Sequence, residues 1–452
     1  MTQSDLRAIA RHAGTVLVGQ WAVMGFSVAD TIIAGQYSAQ ALAVMSLATS
    51  IYISVYVGLN GMLQSLLPVW AELRGAGQDR HIGPSVRQAL YIAALAFGVG
   101  FPCLFWPGLW LEWTQVPPQL WPHVEGYLSI LSIALAPSLL FRLYGTLNQA
   151  LGHARLVTWL QAAGLALKVP LSWALTFGAA GLPELGAQGC AWATLGVNLF
   201  MLACGAWWLW RLDVYKPYRL FERLAAPDWV QLKRFLHLGI PAGLSIMVEV
   251  TSFTLMALFI ARLGALASAS HQIAATLAAV LYMVPLSLGI ATSARTGFWL
   301  GAGQATRARQ SAVTGLQIGL ALSLLCALVL WLGRVPVSRL FSGQPEVQVL
   351  AAVWLTWVAL YHVSDALQAI SAFVLRCYRQ TIAPLLIYTF LLWGVGVGLA
   401  YRWAYEGIGP LAARPRVDTF WMSSTMALAV VSVLLVMLLM RVSRQSTRTA
   451  GK

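Results

Sequence analysis

Glu249 is a lone acid in a long apolar stretch. It lies in GIPAGLSIMVEV, and no Asp, Glu, Lys or Arg occurs from Val250 to Ala261 or from Leu263 to Ala294. An ionised carboxylate in such surroundings costs several kcal/mol unless it is paired, hydrated or protonated, so acids of this kind usually serve a function. On a helix, Ser245 (four residues before) and Ser252 (three after) share its face and make a polar seam. A carboxylate that merely ties helices together is the plainer alternative, and the desolvation cost favours function over it.

Asp365 is a second such acid, in YHVSDALQAISAFVL. Tyr361 precedes it by one helical turn and Gln368 follows three residues later, so all three line one face. Carboxylate, phenol and amide oxygens are hard ligands suited to a small cation such as Na+, and equally to a carboxyl group that exchanges protons. In the first half of the chain Asp30 is the only deep acid, with Ser27 one turn earlier, and Lys168 is the only deep lysine. A buried ammonium prefers a carboxylate partner, so a Lys168–Asp30 pair is expected; the alternative has Lys168 extending its head towards the interface. Gln20 and Ser172 are further polar positions of that half. His271 and His362 have no companion at metal-ligand spacing and are expected to be satisfied interior histidines.

The elements that carry these residues follow from composition. Of 452 residues 59% are hydrophobic and 10% charged, where a soluble domain has about 25% charged residues. Uncharged runs at Gln88–Leu111, Gln310–Gly333, Gln380–Tyr401 and Thr419–Met440 each reach the roughly 20 residues that cross a bilayer as a helix. The chain is therefore expected to be an all-α polytopic membrane protein. Twelve spans are expected, at 13–35, 42–70, 86–108, 122–145, 155–178, 187–210, 236–261, 267–294, 310–333, 346–374, 381–401 and 419–440. With these spans, twenty Lys and Arg residues fall on the side of both termini and six on the other. That bias places both termini in the cytoplasm. The net charge of +14 is thus a matter of topology, and no nucleic-acid partner is implied.

Five cysteines lie in or beside spans without a CxxC or Cys/His cluster, and are expected to be packing residues. The N-terminus lacks a small-residue cleavage site, so the first span is expected to be retained. A Trp- and Pro-rich outer loop is expected near Trp106–Trp121. No Walker A pattern occurs, which removes ATP as the expected energy source and leaves an ion gradient; no cofactor is expected.

The chain also repeats itself. GAGQ at Gly75–Gln78 recurs at Gly301–Gln304, and at the same offset of 226 residues LNQALGHARL faces FVLRCYRQTI. A duplicated six-span unit follows: an N-terminal lobe at 1–210, a basic linker at 211–234 and a C-terminal lobe at 235–452. Units with an even number of spans run parallel, related by a pseudo-two-fold axis along the membrane normal, and such repeats permit alternating access.

Taken together, these stretches resemble the multidrug and toxic compound extrusion (MATE) family in its bacterial NorM-like branch. The resemblance rests on GQWAVMGFSVADTIIAGQYS, ELRGAGQ and KVPLSWALTFGAAGLPELGAQGCAWAT in the first half. In the second half it rests on GIPAGLSIMVEVTSF, ASASHQIA, ARTGFWLGAGQ, the Tyr361–Asp365 segment and LRCYRQT. It implies twelve transmembrane helices in two six-helix lobes around a central cavity. It also implies efflux of cationic, often aromatic drugs by antiport with Na+ or H+, from a monomer in the inner membrane. By motif position, Glu249, Asp365 and Tyr361 resemble the second-lobe cation site, with Asp30 as the first-lobe carboxylate. This sequence departs from the family by placing Lys168 and Ser172 where Asn is usual, so an internal cation could fill the first-lobe site. LRCYRQT also lacks the glycine and acid common in that loop. A lipid-linked oligosaccharide flippase of the same superfamily is the rival within transport, and it would need more basic residues in the cavity. An aspartyl intramembrane protease using Asp30 and Asp365 is the rival enzyme; it would need the two acids on adjacent helices, whereas they sit in different repeats.

Overall fold

The computed structural model describes residues 3–113, 118–223, 225–407 and 412–449. Residues 114–117 of the expected outer loop, and Lys452 among the basic residues counted at the termini, lie outside that description.

Among the described residues eleven helices are long and apolar enough to cross a membrane. In chain order they include α1 (Asp5–Tyr37, helical from Gln3), α2 (Ala39–Gly75), α3 (Asp79–Phe105) and α4 (Pro118–Ala150). A twelfth, α5 (Ala154–Phe177), carries Lys168 and occupies the expected fifth span. There follow α6 (Ala187–Arg211), α7 (Trp229–Ala261), α8 (Ala265–Gly301), α9 (Ala305–Phe341), α10 (Pro345–Cys377), α11 (Ile382–Tyr405) and α12 (Val417–Thr449). Every expected span falls on one of these helices. Helix α7 starts before 235, so 229–234 of the expected linker are helical.

Local chemistry sets several boundaries. The Ser38 hydroxyl accepts from the Ala41 amide at 3.0 Å, and Asp228 Oδ1 accepts from the Val230 and Gln231 amides at 3.0 and 3.2 Å. Each side chain satisfies donors that a helix start leaves open. The two GAGQ segments end α2 and α8 in the same way. Gly77 and Gly303 take φ of 67° and 71°, and the next residue's amide closes back onto Leu73 O and Trp299 O respectively, each at 2.9 Å. This closure requires a left-handed residue, which glycine supplies without a Cβ clash. At the second repeated site Gly152 (φ 78°) closes α4, while α10 is closed by Arg379 (φ 59°), one position beyond the residue that the 226-residue offset pairs with Gly152. The missing glycine of LRCYRQT therefore leaves a side chain in a left-handed position, a strain of about 1–2 kcal/mol.

The chain forms two compact units, Thr15–Gly243, and Leu244–Lys452 together with Met1–Gly14. Helices α1 and α7 each pass from one unit into the other. In the unit Thr15–Gly243, Phe141, Tyr144, Val157, Leu160, Val197 and Met201 pack between α4, α5 and α6. The connector 212–228 is bound to α3: Arg87 donates to Arg219 O at 2.7 Å, Gln88 to Ala226 O at 2.9 Å and Tyr91 to Ala225 O at 3.0 Å. In the other unit the core gathers Leu355, Val358, Ile370, Phe420, Trp421 and Val431 from α10 and α12. Its N-terminal piece is held by Asp5, which is buried and accepts from Arg295 Nε at 2.7 Å. Large apolar side chains face outward along α9, with Leu325, Leu328, Val329 and Leu332 all exposed on one helical face. A surface of this kind suits hydrocarbon rather than water. All five cysteines are free.

Candidate functional site

In the unit containing Leu244–Lys452, Glu249 on α7 and Asp365 on α10 meet through a single amide. Gln368 Nε2 donates to Glu249 Oε1 at 2.8 Å and to Asp365 Oδ1 at 3.0 Å, while Gln368 Oε1 accepts from the Tyr388 hydroxyl on α11. Tyr282 on α8 also lies beside Glu249. All three bridged side chains are buried: Glu249 is 9% exposed, Asp365 4% and Gln368 fully enclosed. Helical spacing brings Asp365 and Gln368 together, since residues three apart share a face. Tertiary packing of α7 against α10 supplies Glu249.

Because both carboxylates bond to one nitrogen, their oxygens are within about 6 Å. Two ionised groups at that separation repel by roughly 3 kcal/mol at an effective dielectric near 20. One shared proton or one small cation removes that repulsion. The donor set, two carboxylates with phenol oxygens nearby, is of the hard kind that favours Na+ over soft metals.

Tyr361 is buried one turn before Asp365, with its ring edge-on to Phe253 at 5.5 Å and Trp421 at 6.1 Å. The phenol bonded to the bridging amide is that of Tyr388. Ser245 is buried, and the Ser252 hydroxyl donates to the Val248 carbonyl of its own helix at 2.7 Å. Arg376 corrects the sequence reading. One of the twenty Lys and Arg counted on the side of both termini, just beyond the expected span 346–374, it is 4% exposed, lies over the Phe373 ring at 4.2 Å and is close enough to Glu249 to interact electrostatically. Its Nη1 has no partner among the described residues. The aromatic surface beside it shelters the delocalised guanidinium, which a loop position would not need.

The histidines need a second correction. His271 is 2% exposed with neither ring nitrogen partnered among the described residues, and His362 Nε2 is likewise unpartnered. His271 packs against the Trp421 ring at 5.7 Å. Ring packing, not hydrogen bonding, positions it.

The unit Thr15–Gly243 has its own polar centre. Lys168 Nζ on α5 lies 2.9 Å from Asp30 Oδ2 on α1. The same ammonium donates to Cys190 O at 2.8 Å and to Thr194 Oγ1 at 2.6 Å, both on α6. Ser172 donates to Asp30 Oδ1 at 2.9 Å. The expected pair is thus present, joined by Ser172. Gln20 is buried but lies ten residues before Asp30 on α1, about 15 Å along the helix.

Sequence reasoning missed Tyr388, Tyr282, Arg376, Thr194 and the Cys190 carbonyl. Tyr388 had a usable signal, a phenol inside the uncharged run Gln380–Tyr401. A backbone carbonyl has none.

The MatE family model matches residues 16–174 and 241–402. A protein of Aromatoleum aromaticum named probable multidrug resistance protein NorM is 38% identical over 434 residues, 96% of this chain and 94% of that protein. Multidrug resistance protein PmpM of Pseudomonas aeruginosa is 30% identical, covering 99% of this chain and 93% of that one. Among solved structures, the eukaryotic MATE transporter AtDTX14 superposes with a TM-score of 0.88 at 19% identity, covering 99% of both chains. The Vibrio cholerae MATE transporter VcmN in its bent form gives 0.85 at 18% identity, covering 98% of both.

Proposed function

The chain belongs to the MatE family, and from that premise we propose that it is a multidrug efflux transporter of the bacterial inner membrane. It exports cationic, often aromatic compounds in exchange for Na+ or H+, with both termini in the cytoplasm and the monomer as working unit. The observation that carries this reading is the pair of buried carboxylates, Glu249 and Asp365, held on one amide. Relatives named multidrug resistance proteins support drug export as the activity.

The chemistry is competition for negative charge. With the site open to the outside, a Na+ ion or a proton binds between Glu249 and Asp365 and cancels their repulsion. That lowers the attraction for an organic cation, which leaves. When the site next opens to the cytoplasm the ion departs, and the recharged pair draws in another cation. Ion and drug must weaken each other's affinity by the same factor. Tyr361 completes the ion's ligands in this scheme, Gln368 holds the two carboxylates together through its amide hydrogens until the ion arrives, and Ser245 and Ser252 keep the neighbouring face of α7 polar. Asp30 and Lys168, with Ser172 and Gln20 on the same helices, form the polar centre of the other unit.

Ethidium efflux from proteoliposomes tests the proposal, first under an imposed Na+ gradient and then under a pH gradient alone. One gradient should drive export and Glu249→Gln should abolish it with the protein still inserted. Equal export with no gradient, or unchanged export by Glu249→Gln, would refute it.

A further inference from the structure

We infer that Lys168 is a built-in cation: its ammonium fills a monovalent-cation site formed by Asp30, Thr194 and the Cys190 carbonyl, so this unit exchanges no ion. The ammonium has three N–H bonds, and the structure gives each a partner: Asp30 Oδ2, Cys190 O and Thr194 Oγ1, at 2.9, 2.8 and 2.6 Å. The Asp30 oxygen left over accepts from Ser172. Thr194 in turn donates to the Cys190 carbonyl at 2.9 Å, fixing the hydroxyl oxygen towards the ammonium. Lys168 is wholly enclosed and Asp30 is 8% exposed.

A carboxylate, a hydroxyl and a backbone carbonyl converging on one positive centre are the hard ligands that also suit Na+. The difference is the tether. A free ion can leave when the site opens, whereas an ammonium on a four-carbon stem remains within reach of its ligands. Leaving them would strand two buried charges, which is strongly unfavourable. Asp30 is therefore permanently neutralised. This rests on the geometry alone; its consequence for transport, that one carboxylate centre and not two carries the coupling ion, rests on the antiport reading.

Shortening Lys168 should vacate the site. In a Glu249→Gln, Asp365→Asn background, which removes the other carboxylate centre, Lys168→Ala is compared with its Lys168 parent. A third variant, Asp30→Asn with Lys168→Met, leaves neither charge. Thermal unfolding of each purified full-length protein is followed at a pH well above the carboxylate range, in NaCl and in choline chloride of equal ionic strength. Sodium should raise the Tm of the Lys168→Ala protein by about 2 °C or more over choline. It should move neither the parent nor the doubly neutral variant. Lys168→Ser replaces the alanine variant if that protein does not fold. An equal sodium response in all three proteins, or none in the shortened one, would overturn the inference. Since the readout is stability and not export, a failed antiport reading leaves the comparison intact.

Discussion

The Tyr388 hydroxyl donates to Gln368 Oε1, fixing which end of that amide faces the carboxylates. With the oxygen held by Tyr388, both amide hydrogens point at Glu249 and Asp365. A flipped amide would present an oxygen to two carboxylates. Tyr388→Phe removes this control and leaves a buried acceptor unsatisfied, which costs about 1–3 kcal/mol. The variant should show a lower Tm than the parent and a weaker dependence of drug export on the driving ion. An unchanged ion dependence would mean that the amide orients itself without the phenol.

Gln368→Leu goes further, since it strips the donor from both acids at once. The two carboxylates then lack their common partner, and the repulsion of roughly 3 kcal/mol has to be relieved by an ion or by movement of α7 away from α10. Export should fall at least about tenfold, which corresponds to 1.4 kcal/mol, while the amount of inserted protein changes little. Ethidium efflux normalised to protein measures this. Parental rates would remove Gln368 from the mechanism.

His153 gives a pH signature outside the membrane. It sits in the turn between α4 and α5, edge-on to Tyr215 at 6.3 Å. Burial, helped by the Arg74 guanidinium, holds its pKa below the ordinary 6.5. The folded protein thus prefers neutral imidazole, and the unfolded chain binds the proton more readily. This contribution to stability is complete above pH 6.5 and is lost as pH falls through the lowered folded value. Between pH 7 and 5 the Tm should therefore fall more steeply for the parent than for His153→Gln. Parallel curves would show that the turn does not sense protonation.

The helix ends of α4 and α10 make a matched pair of tests. Gly152→Ala places a Cβ in a left-handed position (φ 78°) beside the Arg74 guanidinium, 2.9 Å from Nη1. It should destabilise by about 1–2 kcal/mol. Arg379→Gly relieves the same strain at φ 59°, so its Tm should hold or rise. Both are read by thermal unfolding in one detergent. A loss in both would indicate that the Arg379 side chain contributes more than its backbone costs.

The spans and the two acid-bearing helix faces were legible because each is written in local spacing. Hydrophobic run length gave the helices, and the three-residue interval gave Asp365 with Gln368. The Lys168–Asp30 pair was legible for a different reason: two opposite charges in one lipid-depth half have few other partners. What stayed hidden came from packing between helices. Nothing local assigns the Gln368 amide to Glu249, 119 positions away, or hands the bonded phenol to Tyr388 instead of Tyr361. Arg376 was misplaced because a cation at a span's end looks the same whether it enters the loop or folds back over Phe373.

Helix α11 is wound as a π-helix from Thr389 to Leu399, and Ser423 on α12 donates to the Val395 carbonyl inside that stretch at 2.9 Å. Such winding is rare and is usually found as single turns. Its consequence is a loss of phase. Beyond Leu399 the faces no longer follow the 3.6-residue beat that holds up to Tyr388, so a helical wheel drawn through the whole segment points Tyr401 and Tyr405 the wrong way. Lining scans and cysteine cross-links along α11 therefore have to be indexed separately on the two sides of the wide coil.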